Sequence, residues 1–569
     1  MVAIAIAFSG TGMKKTYGPL KITFPNRADW NLGNILAVQA KKYGDKPFLT
    51  EPERDPAHRV FSYRRTDELA SRIAGGLVER GFQIGDRLAI YLDNCSEYIL
   101  AWFGASRAGV VEVPTNNGYF GDFLSHCTNV TGPRGVVVSP NYVPRFVEIG
   151  KSLASARIKP VFFVVGENVD AEIKSLRDQG FTAESFDVLL NAKPIASPPV
   201  LQRHDLGAIL FTSGTTGPSK GVMMSHSQLY YFSEQCVDLT RLTDKDVFMT
   251  GNPLFHGNAQ FLTTYPVLIA GASMFLYPKF SPSKFSERIA ESQATVTNFV
   301  GVMMDWAAKQ PPSEFDKKSR LRCVFSTPTA WGHVDVLKKR FGIEAFVECF
   351  GQTEICLPML TPYGMERPAG SCGLAVSDWF DIRLADPDTD EEVKLGEVGE
   401  LQIRAKEPWL INSGYYGMPE ATANARRNLW FHTGDGLRED KDGWYYFVDR
   451  LKDCLRRRGE NISSFEVERP IIAHDSVQDC AATGMPADEE AGEDEVGVFV
   501  ILKEGMTASA EDIDTWVSTR LPEFLRPRYI QFVDSFPMTP SGKVQKARLR
   551  AMGAKGMWDR LAAAKGRKG

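Results

Sequence analysis

The chain is predicted to be an α/β protein, and three observations predict it. Apolar, strand-like runs alternate with amphipathic, helix-like stretches between Arg87 and Thr327. From Phe380 the pattern shifts to short strands separated by Gly, Pro and Asp turns. After Lys452 a compact α+β segment follows and ends in a basic tail. Alternation of the βαβα kind puts parallel strands in sheets covered by helices, whereas short turn-rich strands make antiparallel or barrel-like units.

The strand-like runs are RLAIYL (87–92), VVEVP (110–114), GVVVS (135–139), PVFFVV (160–165), AILFTS (208–213), ATVTNFV (294–300) and LRCVFST (321–327). Between them, 66–80 and 284–293 carry apolar residues at helical spacing. The Pro/Ala-rich stretch AKPIASPPV (192–200) reads as a linker before a second α/β unit, and the apolar stretch 261–276, broken by Thr263, Thr264, Pro266 and Gly271, reads as buried core. At 569 residues the chain holds three or four folding units of roughly 100–200 residues. The expected division is a large lobe over 1–451, made of α/β subdomains at 1–200 and 201–375 and a small β-barrel-like subdomain at 376–451, then a C-terminal domain over 452–569.

Composition excludes several classes. Hydrophobic residues are 43% and charged residues 24%, which is ordinary for a globular chain and excludes collagen-like and disordered ones. A net charge of −4 gives no general reason to bind nucleic acid or an anionic membrane. The nine cysteines include no CxxC pair, so scattered reduced thiols are expected and a zinc site is not. No run reaches the ~18–20 apolar residues that span a bilayer, and 2–8 has no positive residue before it as a signal segment would. A cytoplasmic protein is expected, with Met13 as an alternative start. The tail from Lys543 onward carries nine Lys/Arg and one acid, and apart from Lys543 it reads as a solvated, partly frayed end.

The most informative stretch is LFTSGTTGPSKGVMMSH (210–226). A buried strand runs into a loop of glycine and small hydroxylic residues, Thr212, Ser213, Gly214, Thr215, Thr216 and Gly217, and then Lys220. Small residues let backbone N–H groups approach a polyphosphate, the hydroxyls add donors, and the lysine adds a point charge. The spacing is not that of a Walker A loop, because Gly221 follows the lysine.

This stretch closely resembles the signature of the adenylate-forming superfamily of acyl-CoA synthetases, peptide-synthetase adenylation domains and beetle luciferases. Further motifs follow in the family's order. NPLFHGN (252–258) is similar to the segment in which an aromatic or His side chain, here His256, lines the carboxylate pocket. FGQTE (350–354) resembles YGxTE. The resemblance implies ATP and AMP contacts from Phe350, Gly351 and Gln352, a donor to the α-phosphate in Thr353, and a magnesium ligand in Glu354 supported by Thr215. Ser326-Thr327-Pro328-Thr329 stands where the family usually has GGAP against the adenine, so that wall differs and Thr327 becomes part of it. GYYGMPEAT (414–422) is similar to GYxxxPExT and is followed by HTGD (432–435), in which Asp435 would accept both ribose hydroxyls. DRLKD (449–453) resembles the hinge motif, with Arg450 on ribose or phosphate and Lys452 as pivot. RGEN (458–461) resembles the GGEN segment lining the pantetheine tunnel, so Arg458, Gly459 and Glu460 would meet coenzyme A, with Arg456 and Arg457 near its phosphates. PMTPSGKVQK (537–546) resembles PxTxxGK, whose lysine, Lys543, would reach the carboxylate and α-phosphate from a mobile C-terminal domain.

What this implies is an ATP-dependent acyl-CoA ligase, similar to the crotonobetaine/carnitine-CoA ligase group, using ATP, Mg²⁺ and coenzyme A. Lys543, Thr353, Glu354 and His256 would be its catalytic residues. The acyl pocket would draw on Asn258, Val300, Gly301, Met304, Cys349, Ile355 and Cys356. No fixed charge awaits the acid's far end, so a medium-chain, branched, alicyclic or aryl acid is expected. Loading of a carrier-protein phosphopantetheine, and a non-catalytic nucleotide-binding scaffold, stay open as alternatives. A homodimer is allowed, with no nucleic-acid partner and no membrane span.

Overall fold

The computed structural model describes residues 6–9, 14–54, 59–212, 219–300, 303–451, 455–457, 460–462, 464–486, 494–521, 523–538 and 544–566. All seven strand-like runs are strands. Five of them form the middle of a first seven-stranded sheet, in the order Lys220–Ser225, Leu206–Thr212, Val111–Pro114, Arg87–Tyr91, Gly135–Val138, Val161–Val164, Thr182–Ser185. Only its first pair is antiparallel. A second seven-stranded sheet runs Ala345–Val347, Cys323–Thr327, Val296–Val300, Val247–Thr250, Ser273–Leu276, Pro47–Glu51, Arg59–Ser62, parallel except for its last pair.

Helices buried on every side lie in the core that joins these sheets. Ser96–Arg107 and His226–Thr240 expose almost none of their surface. Trp102, Tyr98 and Phe103 of the first and Tyr230, Leu229 and Cys236 of the second belong to one continuous hydrophobic cluster. The polar side chains this buries are satisfied across elements, as burial demands. Gln235 donates to the carbonyl of Leu357 at 2.6 Å and Tyr17 donates to Asp238 at 2.6 Å. The stretch 261–276 is core, as its apolar content predicts: Phe261, Tyr265, Val267, Leu268 and Ile269 are fully buried. The Pro/Ala-rich segment has no regular structure, yet it lies tightly against the helix Tyr63–Glu79. Ile195 N–H donates to the carbonyl of Ser71, and a Cβ at Gly75 would stand 2.0 Å from the carbonyl of Lys193. Only glycine admits that approach.

The third sheet is antiparallel, in the order Cys349–Gln352, Cys356–Leu360, Gly373–Ala375, Trp444–Arg450, Phe431–Glu439, Val398–Ala405, Phe380–Ala385. It corrects the barrel-like expectation. The sheet is open, and its two edge strands do not pair among the described residues. Closure needs both edges to meet. Here the Cys349 edge is tied by a short piece of chain to Ala345–Val347, the edge of the second sheet. This sheet takes in strands from Cys349 onward, well before the change of texture at Phe380.

The C-terminal part packs the helices Ser464–Ile472 and Ala510–Ser518 on a sheet ordered Val477–Pro486, Asp494–Leu502, Tyr529–Phe532, Trp558–Asp559. The described part of the basic tail, 544–566, is folded rather than solvated chain. It forms the helices Lys546–Ala551 and Arg560–Gly566, Leu549 is buried, and Lys546 pairs with Glu468 at 2.7 Å. No helix among the described residues is long and apolar enough to cross a membrane. The eight described cysteines are buried and unpaired.

Candidate active site

The glycine-rich loop closes a hairpin at the edge of the first sheet. Thr212 and Lys220 stand opposite each other in the antiparallel pair. Ser213, Gly214, Thr215, Thr216 and Gly217 lie outside the described residues, as do Gly301, Lys452, Arg458, Gly459 and Lys543 and the side chain of Glu460. The segment 413–416 runs alongside the Lys220–Ser225 strand as a further extended partner. Tyr416 N–H donates to the carbonyl of Gly221, Met223 N–H to that of Gly414, and Tyr415 bridges to Val222. This brings two motifs nearly two hundred residues apart into contact. The Lys220 ammonium lies 4.7 Å from the centre of the Tyr415 ring.

Glu354 completes that cluster. The hairpin Cys349–Gln352/Cys356–Leu360 turns so tightly that a Cβ at Gly351 would stand 2.1 Å from the carbonyl of Cys356. Just inside the turn, the buried Glu354 accepts the Tyr415 hydroxyl on Oε1 at 3.2 Å. Burial pushes its carboxyl above the usual range, while Arg450, the Tyr415 hydrogen bond and Lys220 pull the other way. Three cross-chain contacts hold the segment. Gln228 donates to the carbonyl of Thr353 at 2.8 Å, and Asn412 donates to the carbonyl of Glu354 through its backbone at 2.8 Å and its side chain at 3.1 Å. Tyr415, Gln228 and Asn412 were not expected as site residues. Tyr415 lies inside a quoted motif and could have been found there. Gln228 and Asn412 carry no local signal.

Asp435 sits at a turn of the Phe431–Glu439 strand, directly across from Arg450 on the neighbouring strand. It is 3% exposed. Its Oδ1 pairs with Arg450 Nε at 2.8 Å and its Oδ2 accepts from Gln352 Nε2 at 2.6 Å. Both oxygens therefore already have partners where the resemblance gives them two ribose hydroxyls. A carboxylate oxygen has a second lone pair, so each can accept again. The turn is gripped from the adjacent strand by Glu400, which accepts Gly434 N–H at 3.0 Å and meets His432 Nδ1 at 2.7 Å. Phe350 stacks on Phe447 with centroids 5.9 Å apart, which gives the tyrosine-to-phenylalanine departure a packing partner.

The second sheet has a topological switch point between its strands Val247–Thr250 and Val296–Val300. From Val247–Thr250 the chain passes to a strand on one side, and from Val296–Val300 to a strand on the other. Loops leaving in opposite directions make a ligand crevice at such a switch point. His256 and Asn258 follow the first of these strands, and Val300 ends the second. Thr327 ends the next strand, with its hydroxyl 3.8 Å from Cys349 Sγ. His256 is exposed, while Val300 and Thr327 are half-buried. Met304, Ile355 and Cys356 are fully buried. Met304 is packed in the cluster of Tyr277, Phe285 and Phe299. The Cys356 thiol points to the carbonyl of Leu410 at 3.2 Å.

Comparison with known proteins follows this geometry. A family model described as "AMP-binding enzyme" matches residues 36–416, and one described as "AMP-binding enzyme C-terminal domain" matches residues 466–543. A crotonobetaine/carnitine–CoA ligase of Salmonella paratyphi A is 32% identical over 526 residues, covering 91% of this chain and 99% of the relative. The ATP-bound MatB of Rhodopseudomonas palustris is 28% identical with a TM-score of 0.77, covering 92% of this chain and 99% of that one. The anthranilate CoA ligase AuaEII, solved with anthranoyl-AMP, shares the fold at a TM-score of 0.78 and 23% identity, covering 94% of this chain and 98% of that one.

Proposed function

The chain belongs to the AMP-binding enzyme family, and we propose that it joins a carboxylic acid to coenzyme A in two steps at one site. In the first step a carboxylate oxygen attacks the α-phosphorus of ATP. The bond to the bridging oxygen breaks and pyrophosphate leaves, giving an acyl-adenylate. In the second step the coenzyme A sulfur attacks the acyl carbon. The acyl carbon–oxygen bond breaks and AMP leaves with both electrons, while the thiol proton passes to solvent.

The observation that carries this reading is the convergence of Lys220, Tyr415 and Glu354 beside Gln352, Asp435 and Arg450. Cation, buried carboxylate and a second carboxylate with its own cation stand in the order that polyphosphate, metal and ribose require. Lys220 and the 212–217 loop hold the β- and γ-phosphates. Asp435 accepts the ribose hydroxyls, and Arg450, paired with it at 2.8 Å, holds that buried carboxylate in place. Thr353 donates to the α-phosphate. Phe350 and Thr327 wall the adenine, and His256 fixes the acid's carboxylate. Much of the rate gain is positioning, worth up to about 7–11 kcal/mol for well-oriented reactants.

Magnesium fits Glu354. Its carboxyl is buried and pushed up by desolvation, a cost that an adjoining dication removes. Glu354, with Thr215, would hold the ion, which when bound neutralises phosphate charge.

The two steps need different groups at the reacting centre. The large lobe, 1–451, holds the substrates, and the C-terminal domain, 452–569, turns about Lys452. One setting presents Lys543 to the α-phosphate, and the other presents Arg458, Gly459 and Glu460 to the pantetheine. Across this boundary Asp449 accepts Ser464 N–H at 2.8 Å, which caps the first helix after the hinge. The test is Lys543→Ala. It abolishes acyl-adenylate formation and leaves transfer from a preformed acyl-adenylate to coenzyme A largely intact. Equal loss of both half-reactions in a folded variant refutes the division of roles. Assaying coenzyme A against a phosphopantetheinyl carrier protein decides the acceptor, and coenzyme A is expected to serve.

A further inference from the structure

Asn258 is 6% exposed, yet its amide is only half used. Its Oδ1 accepts from Asn252 Nδ2 at 2.8 Å and from Asn298 Nδ2 at 2.7 Å. Among the described residues its Nδ2 has no hydrogen-bond partner, and it is not one of the side-chain atoms sealed from solvent without one. The setting of this amide is fixed by the network behind it. Asn298 Nδ2 also donates to Thr263 Oγ1 at 2.8 Å. Asn298 Oδ1 accepts from Asn252 at 3.0 Å and from the Thr250 hydroxyl at 3.1 Å. Turning Asn258 alone would face its NH₂ against two other NH₂ groups. Turning all three amides together would take away the acceptor to which the buried Thr250 hydroxyl donates. A carbonyl oxygen has two acceptor sites and both are occupied, so the donors of this side chain are what remain for a ligand.

The position adds the meaning. Asn258 follows His256 at the mouth of the crevice between the strands Val247–Thr250 and Val296–Val300. No charged side chain stands among the crevice residues His256, Asn258, Val300, Thr327 and Cys349. We infer that Asn258 selects acids bearing an uncharged oxygen acceptor on the acyl chain, a keto, ether or hydroxyl oxygen, over the plain hydrocarbon acids of the same shape. This rests on the acyl-adenylate reading above. A hydrocarbon group placed against Asn258 Nδ2 strips it of water and returns no partner, whereas an acceptor oxygen restores the bond. The pocket expected from sequence to lack a fixed charge becomes a pocket with one fixed neutral donor.

The experiment measures acid-dependent exchange of pyrophosphate into ATP with matched acids. The pairs are 4-oxopentanoate against 4-methylpentanoate and 4-acetylbenzoate against 4-isopropylbenzoate. In the unaltered protein the keto member of whichever pair is accepted has kcat/KM about tenfold or more above its hydrocarbon partner. Asn258→Leu removes the preference or reverses it. Leucine also leaves Asn252 and Asn298 without an acceptor and risks the fold, so Asn258→Asp is the second variant. Aspartate keeps an inward oxygen for both amides and turns the outward donor into an acceptor. The keto-to-hydrocarbon ratio of kcat/KM falls to near one or below, whatever the change in the absolute rates. A keto-to-hydrocarbon ratio near one in the unaltered protein, or a ratio unchanged by Asn258→Asp, overturns the assignment and leaves the ligase reading standing. Exchange with none of a broad acid panel refutes the ligase reading itself.

Discussion

On the ribose role proposed for it, replacing Asp435 by alanine removes two acceptors for the nucleotide together with the pairings to Arg450 and Gln352. The carboxylate is 3% exposed, but its cation partner Arg450 has a side chain 44% exposed, so losing that ion pair costs at most about 1 kcal/mol of stability. Gln352 Nε2 loses one acceptor and keeps the carbonyl of Thr433 at 3.1 Å. The fold therefore survives. Binding of ATP does not. Hydrogen bonds to a charged group contribute about 1.5–3 kcal/mol each, so two ribose hydroxyls account for about 3–6 kcal/mol. At about 1.4 kcal/mol per factor of ten, kcat/KM for ATP in pyrophosphate exchange falls roughly 10²–10⁴-fold. Asp435→Asn keeps one acceptor without the charge and falls in between. The decisive comparison uses 2′,3′-dideoxy-ATP. The unaltered protein drops to nearly the level of the alanine variant, and the alanine variant shows no further drop. Equal penalties for the missing hydroxyls in both proteins would refute the ribose assignment, because the two changes would then act independently.

Three other outcomes follow from the same geometry. Glu400→Ala frees the turn before Asp435 and raises KM for ATP several-fold without touching nucleotide, and its effect is smaller in the Asp435→Ala background; full additivity would contradict the positioning role. Glu354→Gln shifts the magnesium concentration for half-maximal exchange upward, by about tenfold or more, in a metal titration at fixed ATP; an unshifted titration places the metal elsewhere. Glu234 is a stability prediction: burial beside Tyr230 and Thr23 raises its carboxyl from 4.5 to about 7. The folded state holds that proton more tightly, so its contribution is full below pH 4.5 and is lost as pH rises to about 7, a change of about 3 kcal/mol. Urea unfolding of Glu234→Gln is correspondingly flatter across this window, and an unchanged slope refutes the assignment.

Purely apolar strands declared themselves, because a parallel strand covered on both faces is a continuous run of Val, Ile, Leu and Phe, as in Gly135–Val138 and Val161–Val164. Mixed or edge strands did not. Val247–Thr250 and Ser273–Leu276 each carry a hydroxyl residue and a methionine, and Arg59–Ser62 is an antiparallel edge with a charged end. The open form of the third sheet depends on which distant strands pair, and local pattern is silent on that. The tail looked solvated because its charge was counted while its buried anchors Leu549 and Met557 were not. At the candidate site, Lys220, Glu354 and Asp435 each carry a motif signal, and the structure brings the elements that bear them together. The groups that hold them were not legible. Gln228 donates from one of several polar positions in a fully buried helix, and the Asn252–Asn258–Asn298 network joins residues up to 46 apart. Only the folded geometry shows which half of the Asn258 amide is left for a ligand.

The central claim is adenylation of a carboxylic acid followed by thioester formation. Its most direct measurement is exchange of labelled pyrophosphate into ATP across an acid panel, followed by product analysis after coenzyme A is added. The account predicts exchange only when an accepted acid is present, and then AMP and acyl-CoA in equal amounts. Release of ADP and phosphate, or AMP formation without any thioester, would contradict it.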